Sequence, residues 1–355
     1  MAIKEIIEAL KSKDLRDLGL KENLAQLVKD IKLLGKELDI LLYLPRPGLE
    51  DVLKSKVEDA LAQMSYVEKV NVKFSGSPPQ GIGQSVAQPT FAKRKVPGVK
   101  YLIAIGSGKG GVGKSTVSAN LAVTLANLGY KVGLLDADVY GPSIPTILGL
   151  KGERVSLNER NKLIPLERFG VKVLSIGFML PSEDTPVIWR GPMLMKALTQ
   201  FLFDVEWEDL DFLILDLPPG TGDVQLTLAQ NTEVTGALVV TTPQDVALAD
   251  VRKTTVMFRE VGIPLLGVIE NMAYFICPDS GKKYFIFGKG KTAEFATAYG
   301  IKVLGSIPID PDVSERSDKG EPITAFVPDS PVSKAFRSIG ELLIQEIIAG
   351  GKAHV

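Results

Sequence analysis

At 355 residues the chain exceeds the roughly 100–200 expected of one domain, so two or three are expected, and 45% hydrophobic with 23% charged residues is the balance of an ordinary globular protein. A formal net charge of −1 gives no bulk attraction to nucleic acid or to an anionic membrane, and no apolar run approaches the roughly 18 residues needed to cross a bilayer. The single cysteine excludes an intrachain disulfide; with acidic residues in the opening "MAIKEIIEALKSKD", where a signal peptide has none, the expected location is cytoplasmic.

The first 75 residues read as a small α+β unit. Ile3, Ile6, Ile7 and Leu10 have helical spacing, and "DLRDLGL" follows as a loop. Two alternating runs, "LVKDIKLL" and "LDILLYLP", flank Gly35-Lys36 as a hairpin. Leu49, Val52, Leu53, Val57, Ala60, Leu61 and Met64 then mark one face of a helix, and Val70, Val72 and Phe74 alternate in a last strand. The order is αββαβ. Residues 76–98 lack periodicity and are rich in Gly, Pro, Ser and Gln, the chemistry of a flexible linker.

From residue 99 onward short apolar runs recur: "YLIAIG", "KVGLLDA", "VKVLSIG", "DFLILDL", "GALVVTT", "PLLGVIE" and "IKVLGSIP". Helical patterns such as Val117–Leu128 and Val246–Val261 lie between several of them. Near-continuous apolar strands alternating with helices predict an α/β domain over 99–355, a mainly parallel sheet covered by helices on both faces. One hairpin-like insertion, "RVSLNERNKLIPLERF", interrupts the alternation.

Directly after the first of these strands comes Gly108-Lys109-Gly110-Gly111-Val112-Gly113-Lys114-Ser115-Thr116, and an amphipathic helix follows. Strand, G-x-x-x-x-G-K-[ST], helix is the context in which glycines let backbone N–H groups turn toward the β- and γ-phosphates. The helix adds its positive N-terminal end. Lys114 is then expected on the phosphates and the Ser115 hydroxyl on Mg²⁺. Two strands end in carboxylates, Asp136 of Asp136-Ala-Asp138 and Asp216 before Pro218-Pro219-Gly220-Thr221-Gly222. Ligands bind at the carboxyl ends of such strands. Asp216 suits the Walker B role of holding Mg²⁺ through a water, Asp136 can do likewise, and Asp138 is the candidate that orients the attacking water. Asn271 also ends a strand, and an Asn side chain can pair with N6 and N7 of adenine. The Asn-Lys-x-Asp signature of guanine-binding P-loop proteins is missing, so ATP is the expected nucleotide.

These motifs run in order with "LLDADVYGPSIP", "WRGPM", "LILDLPPGTGD", "VTTPQDVALADVRK", "ENMAYFICP" and "GSIPIDPDVSERSDKGEPI". From residue 100 to 340 the chain resembles the Mrp/ApbC family of iron–sulfur cluster carriers, MinD/ParA-like ATPases with a deviant P-loop. The resemblance implies that Lys109 reaches the nucleotide of a partner subunit, that the working species is a homodimer, and that apo iron–sulfur proteins are its clients. It also implies a Cys-Pro-x-Cys motif, supplied once by each subunit, that bridges one cluster across the dimer. Here the motif reads Cys277-Pro278-Asp279-Ser280, and the only histidine is His354 in the tail. Residues 1–75 are similar to the small MIP18-like domain often fused to these ATPases. They lack its Asp-Pro-Glu around Asp14–Leu20, and Leu49 stands where a cysteine often follows Pro-Gly.

Three readings of function follow. The first is an ATP-hydrolysing carrier of iron–sulfur clusters with Cys277 as a cluster ligand. The second is a switch ATPase without a cluster, cycling between monomer and ATP-bound dimer to regulate protein partners. The third, a membrane-positioning ATPase, needs a basic amphipathic C-terminal helix. "SKAFRSIGELLIQEIIAGG" carries as many acidic as basic residues, and packing on the sheet accounts for its apolar stripe.

Overall fold

The computed structural model describes the chain except residues 1, 19, 21–22, 35, 46–47, 63, 65, 68, 76–92, 139–140, 180–190, 221 and 352–355. Trp189 and Arg190 of "WRGPM", Thr221, His354 and most of the expected linker therefore lie outside the described residues. The chain divides into two compact units, Met1–Thr90 and Phe91–Val355.

The first unit runs α1 (Ala2–Lys11), β1 (Val28–Leu34), β2 (Glu37–Tyr43), α2 (Glu50–Leu61) and β3 (Lys69–Ser75). The strand order is β1-β2-β3, with β1 antiparallel and β3 parallel to β2. Leu38, Ile40 and Leu42 of β2 are fully buried with Ile6 and Leu10 of α1 and Leu53 and Val57 of α2. Alternation on β2 and helical spacing on α1 and α2 thus converge on one core.

The second unit begins β4 (Val99–Ser107), α3 (Lys114–Asn127), β5 (Val132–Asp136), α4 (Ile144–Ile147), β6 (Ser156–Leu157), β7 (Leu163–Ile164), β8 (Leu166–Arg168), β9 (Val171–Ser175) and α5 (Gly191–Phe203). It continues with β10 (Leu210–Asp216), α6 (Asp223–Asn231), β11 (Gly236–Thr241), α7 (Asp245–Glu260), β12 (Leu265–Glu270), β13 (Phe275–Ile276), β14 (Lys283–Tyr284) and α8 (Thr292–Ala298). β15 (Val303–Ser306), α9 (Pro311–Lys319), α10 (Ile323–Phe326) and α11 (Pro331–Gly351) close it. Eight strands form one sheet in the order β15-β12-β11-β4-β10-β5-β9-β8, parallel except for β8, which runs antiparallel to β9 at the edge. β8 and the β6–β7 hairpin come from the insertion expected at 154–169.

Both faces of this sheet are covered. Ile103 and Ile105 of β4 and Phe212 and Ile214 of β10 point into one core with α3 and α11. Leu102, Ala104, Leu213 and Leu215, one residue out of phase, point into the other with α5, α6 and α7. Burial on both faces is why these strands read as apolar runs rather than as alternation. Val332, Phe336, Ile339, Leu343 and Ile347 of α11 are all buried in the first core. The C-terminal stripe is thereby committed to the protein interior, and among the described residues no helix is long and apolar enough to cross a membrane.

Residues 93–98, the end of the expected linker, are pinned to this unit. Arg94 bridges to Thr232 as an extra strand position, its guanidinium stacks 3.9 Å from the Phe203 ring, and Val96 is buried. A buried valine, a stacked arginine and backbone hydrogen bonds to Asn231, Glu233 and Leu210 hold a stretch whose composition is otherwise that of a linker.

Candidate functional site

Sheet register builds the centre of the site. Asp216 at the end of β10 lies in register with Asp136 of β5, and Asp136 with Ser175 of β9. Partners in a parallel ladder project to the same face, so Ser175, Asp136 and Asp216 form one row across three strand ends. Asp136, Ser175 and Asp216 are fully buried. A buried carboxylate needs compensation, and Asp216 receives it from α3. The Lys114 ammonium lies 2.8 Å from its Oδ1, Ser118 Oγ donates to Oδ1 at 2.6 Å, and Ser115 Oγ donates to Oδ2 at 2.6 Å. Lys114 is also 3.8 Å from Asp138. Ser115 and Ser118 are three residues apart and share a helix face, so the second serine carried a local signal that motif spacing alone misses.

Asp136 is compensated less well. Ser175 Oγ donates to its Oδ2 at 2.9 Å and the Asp138 N–H to its Oδ1 at 3.1 Å. Burial first, and the neighbouring Asp216 charge second, push its pKa up to about 8. Both effects favour the protonated carboxyl over the charged one.

The loop between β4 and α3 is clamped from two sides. At Gly108 an added Cβ would fall 2.3 Å from the Asp250 carbonyl carbon on α7. At Gly113, which has φ +77° and caps α3, it would fall 2.3 Å from the Asn271 Nδ2. Only glycine fits either position. Asn271 Nδ2 donates to the Val112 carbonyl at 2.9 Å, so Asn271 braces the loop from the end of β12. Gly110 and Gly111 at the crest of the loop are exposed. Lys109 is half-buried, 3.5 Å from Gln244 Oε1 at the start of α7. The segment after Asp216 is tied to the same loop: the Gly220 N–H donates to the Ser107 carbonyl, and Gln225 Nε2 donates to the carbonyls of Pro218 and Gly220. Gln225 was not foreseen because its role arises only from the turn between β10 and α6.

A strand, a glycine loop clamped between helix and strand end, and a lysine on a buried carboxylate are the parts of a P-loop nucleotide site. Residues 98–344 match the ParA family in the form described as NUBPL iron-transfer P-loop NTPase. The chain belongs to this family. It is 64% identical over 359 residues to an iron-sulfur cluster carrier protein of Aquifex aeolicus, covering 98% of this chain and 99% of that protein. Among solved structures it is similar to a nucleotide-binding protein of Archaeoglobus fulgidus in complex with ADP (43% identity, TM-score 0.57, 64% of this chain and 88% of that one). It is also similar to the cell division ATPase MinD of Pyrococcus furiosus (26% identity, TM-score 0.52, 69% and 98%).

Within this P-loop NTPase unit, Asn271 opens the segment that leads to the lone thiol. Met272 takes φ +54°, Ala273 N–H donates to the Ile307 carbonyl, and Phe275 bridges to Ile309. β13 and β14 then pair antiparallel around the turn that holds Cys277. The Cys277 N–H donates to the Lys282 carbonyl, and Gly281 N–H donates back to Cys277. The thiol is only half-buried, and its pKa is lowered by donors in its own turn: the Ser280 hydroxyl first, then the backbone N–H groups of Ser280 and Asp279. The residue that replaces the second cysteine thus lies within hydrogen-bond reach of the first. Among the described residues no cluster of three or more His, Cys, Asp or Glu could hold a metal ion.

Lys114→Ala leaves the buried Asp216 charge with two serine hydroxyls but without its cation. It is expected to destabilise the nucleotide-free protein by about 3–5 kcal/mol, with part of that loss recovered in Lys114→Ala/Asp216→Asn. Urea unfolding followed by tryptophan fluorescence measures both, and an additive double variant would refute the pairing. Asp136 generates a pH dependence. Its native pKa near 8 stands above the ordinary carboxylate value, so the native state holds a proton that the unfolded chain has released. Its contribution to stability is therefore complete below the ordinary carboxylate range and is lost as pH rises through about 8, by up to roughly 1.4 kcal/mol per pH unit. Asp136→Asn should flatten that fall in nucleotide-free protein; parallel curves would mean Asp136 ionises normally.

Proposed function

We propose that this chain binds and hydrolyses ATP with Mg²⁺ at the P-loop and, as a homodimer, carries an iron–sulfur cluster that it hands to apo-proteins. The observation that carries the reading is the Cys277 turn, a half-exposed thiol held toward the thiolate by three donors and joined through the five residues 272–276 to the asparagine that braces the P-loop. Family membership, and the name of the Aquifex relative, support the same cargo.

The donor set fits the nucleotide part. Ser115 Oγ, Asp216 and Asp136 are hard oxygen donors brought together at adjacent strand and helix ends, the kind Mg²⁺ prefers. Bound there, the ion would neutralise charge on the β- and γ-phosphate oxygens. Backbone N–H groups of residues 108–116 would cradle the phosphates, and Lys114 would leave Asp216 to reach them. Asp138, 3.8 Å from Lys114, would orient water once that lysine has moved. Asn271 spends one amide hydrogen on Val112, leaving the other and its oxygen for the adenine edge. Lys109 would exchange Gln244 for the nucleotide of a facing subunit.

The cluster is cargo. Two chains would supply two thiolates where four are the usual ligation, with oxygen ligands from Ser280, Asp279 or solvent completing the set. Oxygen ligands hold iron–sulfur centres less tightly than thiolates, so the cargo should be labile. Ser280 also keeps a second reading in play, a switch ATPase without a cluster.

Anaerobic reconstitution with iron and sulfide decides between the two. Wild type is expected to hold iron, acid-labile sulfide and visible absorbance that Cys277→Ser lacks, with ATP binding equal in both, and Ser280→Cys should make the cluster more robust. Equal iron in wild type and Cys277→Ser would leave only the switch. Lys109→Ala is expected to bind ATP as a monomer and fail to dimerise with a non-hydrolysable analogue, measured by light scattering; a variant that dimerises normally would remove Lys109 from the interface.

A further inference from the structure

Of the three donors that hold Asp216, two have work elsewhere in the proposed function. Lys114 would swing to the phosphates and the Ser115 hydroxyl would turn to Mg²⁺, which leaves Ser118. Its position suits it to stay. Ser118 is fully buried, and every residue of α3 from Val117 to Leu125 is buried with it. Ser115, three residues earlier in the first turn, is only half-buried. A ligand arriving at the loop can therefore reach Ser115, whereas Ser118 is sealed beneath it.

A serine hydroxyl has one proton to give. The Ser118 oxygen lies 3.0 Å from the Lys114 carbonyl and 2.6 Å from Asp216 Oδ1. The shorter contact is to a charged acceptor, which makes the stronger hydrogen bond, so the proton goes to the carboxylate. A buried hydroxyl costs stability wherever it lacks a partner. Around Ser118 the helix puts Val117, Ala119, Leu121 and Ala122 into the core, and a serine among them is accounted for by the charge it serves. The two oxygens of Asp216 are held differently. Oδ1 takes Lys114 at 2.8 Å and Ser118 at 2.6 Å, while Oδ2 takes Ser115 at 2.6 Å. The last torsion of an aspartate is broad and soft. With Lys114 withdrawn, the carboxylate would turn about it unless one oxygen is kept in place.

We propose that Ser118 is a positioning residue of the nucleotide site: by holding Oδ1 it keeps Oδ2 of Asp216 turned toward Ser115 after Lys114 has left. The inference rests on the proposed reading of the loop as a site for nucleotide and Mg²⁺. Ser118 itself touches neither, since it has no exposed surface. It acts through the carboxylate, as the groups behind a metal ligand commonly do. A short side chain on a fully packed stretch of helix has little freedom to follow a ligand. The long lysine and the hydroxyl at the helix entrance are the movable members of the trio.

The test uses Mn²⁺ in place of Mg²⁺. Its uptake by full-length protein with equimolar ADP is followed by electron paramagnetic resonance and compared with ADP alone. Ser118→Ala keeps a side chain that favours helix and removes one atom. It is expected to weaken Mn²⁺ binding by about 10–100-fold, the usual cost of losing a group that orients a metal ligand. Ser118→Cys, which restores bulk and a weak donor, should recover part of that loss. The decisive comparison is Ser118→Ala/Asp216→Asn, expected to bind Mn²⁺ no more weakly than Asp216→Asn alone, because a residue that acts through Asp216 has nothing left to orient. Losses that add in the double variant would place the effect of Ser118 elsewhere and overturn the proposal. So would equal Mn²⁺ uptake in wild type and Ser118→Ala, which would leave the serine a packing residue while the site reading stands. Wild type that takes up no Mn²⁺ beyond ADP alone would refute the site reading itself, and this inference with it.

Discussion

The neutralisation of Asp216 is the constraint on which the rest of the second unit depends. A carboxylate with no solvent exposure cannot stay charged in an apolar sheet without partners. Here the lysine and two serine hydroxyls of one helix supply them within 2.6–2.8 Å. That requirement fixes how α3 stands over the sheet, and hence where the glycine loop before it must run. Lys114 is held by Asp216, so in the proposed function a nucleotide would have to offer that ammonium a better partner, and Asp216 would then need another cation. Binding of polyphosphate and of a divalent ion would be linked by a charge that cannot be left alone.

The same end of the sheet gathers everything else that acts. The glycine loop, Asp136, Asp216 and Asn271 all stand at carboxyl ends of parallel strands, on β4, β5, β10 and β12. Asn271 is the point of contact between the nucleotide loop and the thiol hairpin, since its amide holds Val112 while its own chain continues to Cys277. The next residues leave little slack. Met272 is in the left-handed region, and Glu270 on the other side accepts from Ser306 at 3.2 Å and from Thr292, the first residue of α8 after the hairpin. Both ends of the hairpin are therefore anchored at the tip of β12. A shift of the phosphate loop on filling would be felt there first.

Much of this was legible in the sequence because burial writes itself into composition. Seven apolar runs became β4, β5, β9, β10, β11, β12 and β15, since a strand covered on both faces has no room for polar residues. Asp136 and Asp216 stood out for the same reason, as charges that terminate such runs. What the sequence withheld depends on register between distant strands. Ser175 lies 39 residues from Asp136, and only the β5–β9 ladder makes it a partner. Gln225 needs the turn after β10, and residues 93–98 needed the Phe203 ring, both supplied by packing. Cys277 was visible as a thiol in a polar turn, but the three donors around it come from a ladder two residues long on each strand.

The serine at position 280 then takes on a meaning within the proposed function. A carrier is judged by release as well as by grip, and each tenfold in affinity is worth about 1.4 kcal/mol. Four thiolates would favour retention. Two thiols, each with its pKa lowered by hydroxyl and N–H donors of its own turn, would bind a cluster while giving up part of the covalency that makes it hard to remove. Differences of this kind among related complexes fall mainly on the dissociation rate. In the proposed carrier, the oxygen at position 280 would favour handing over rather than keeping.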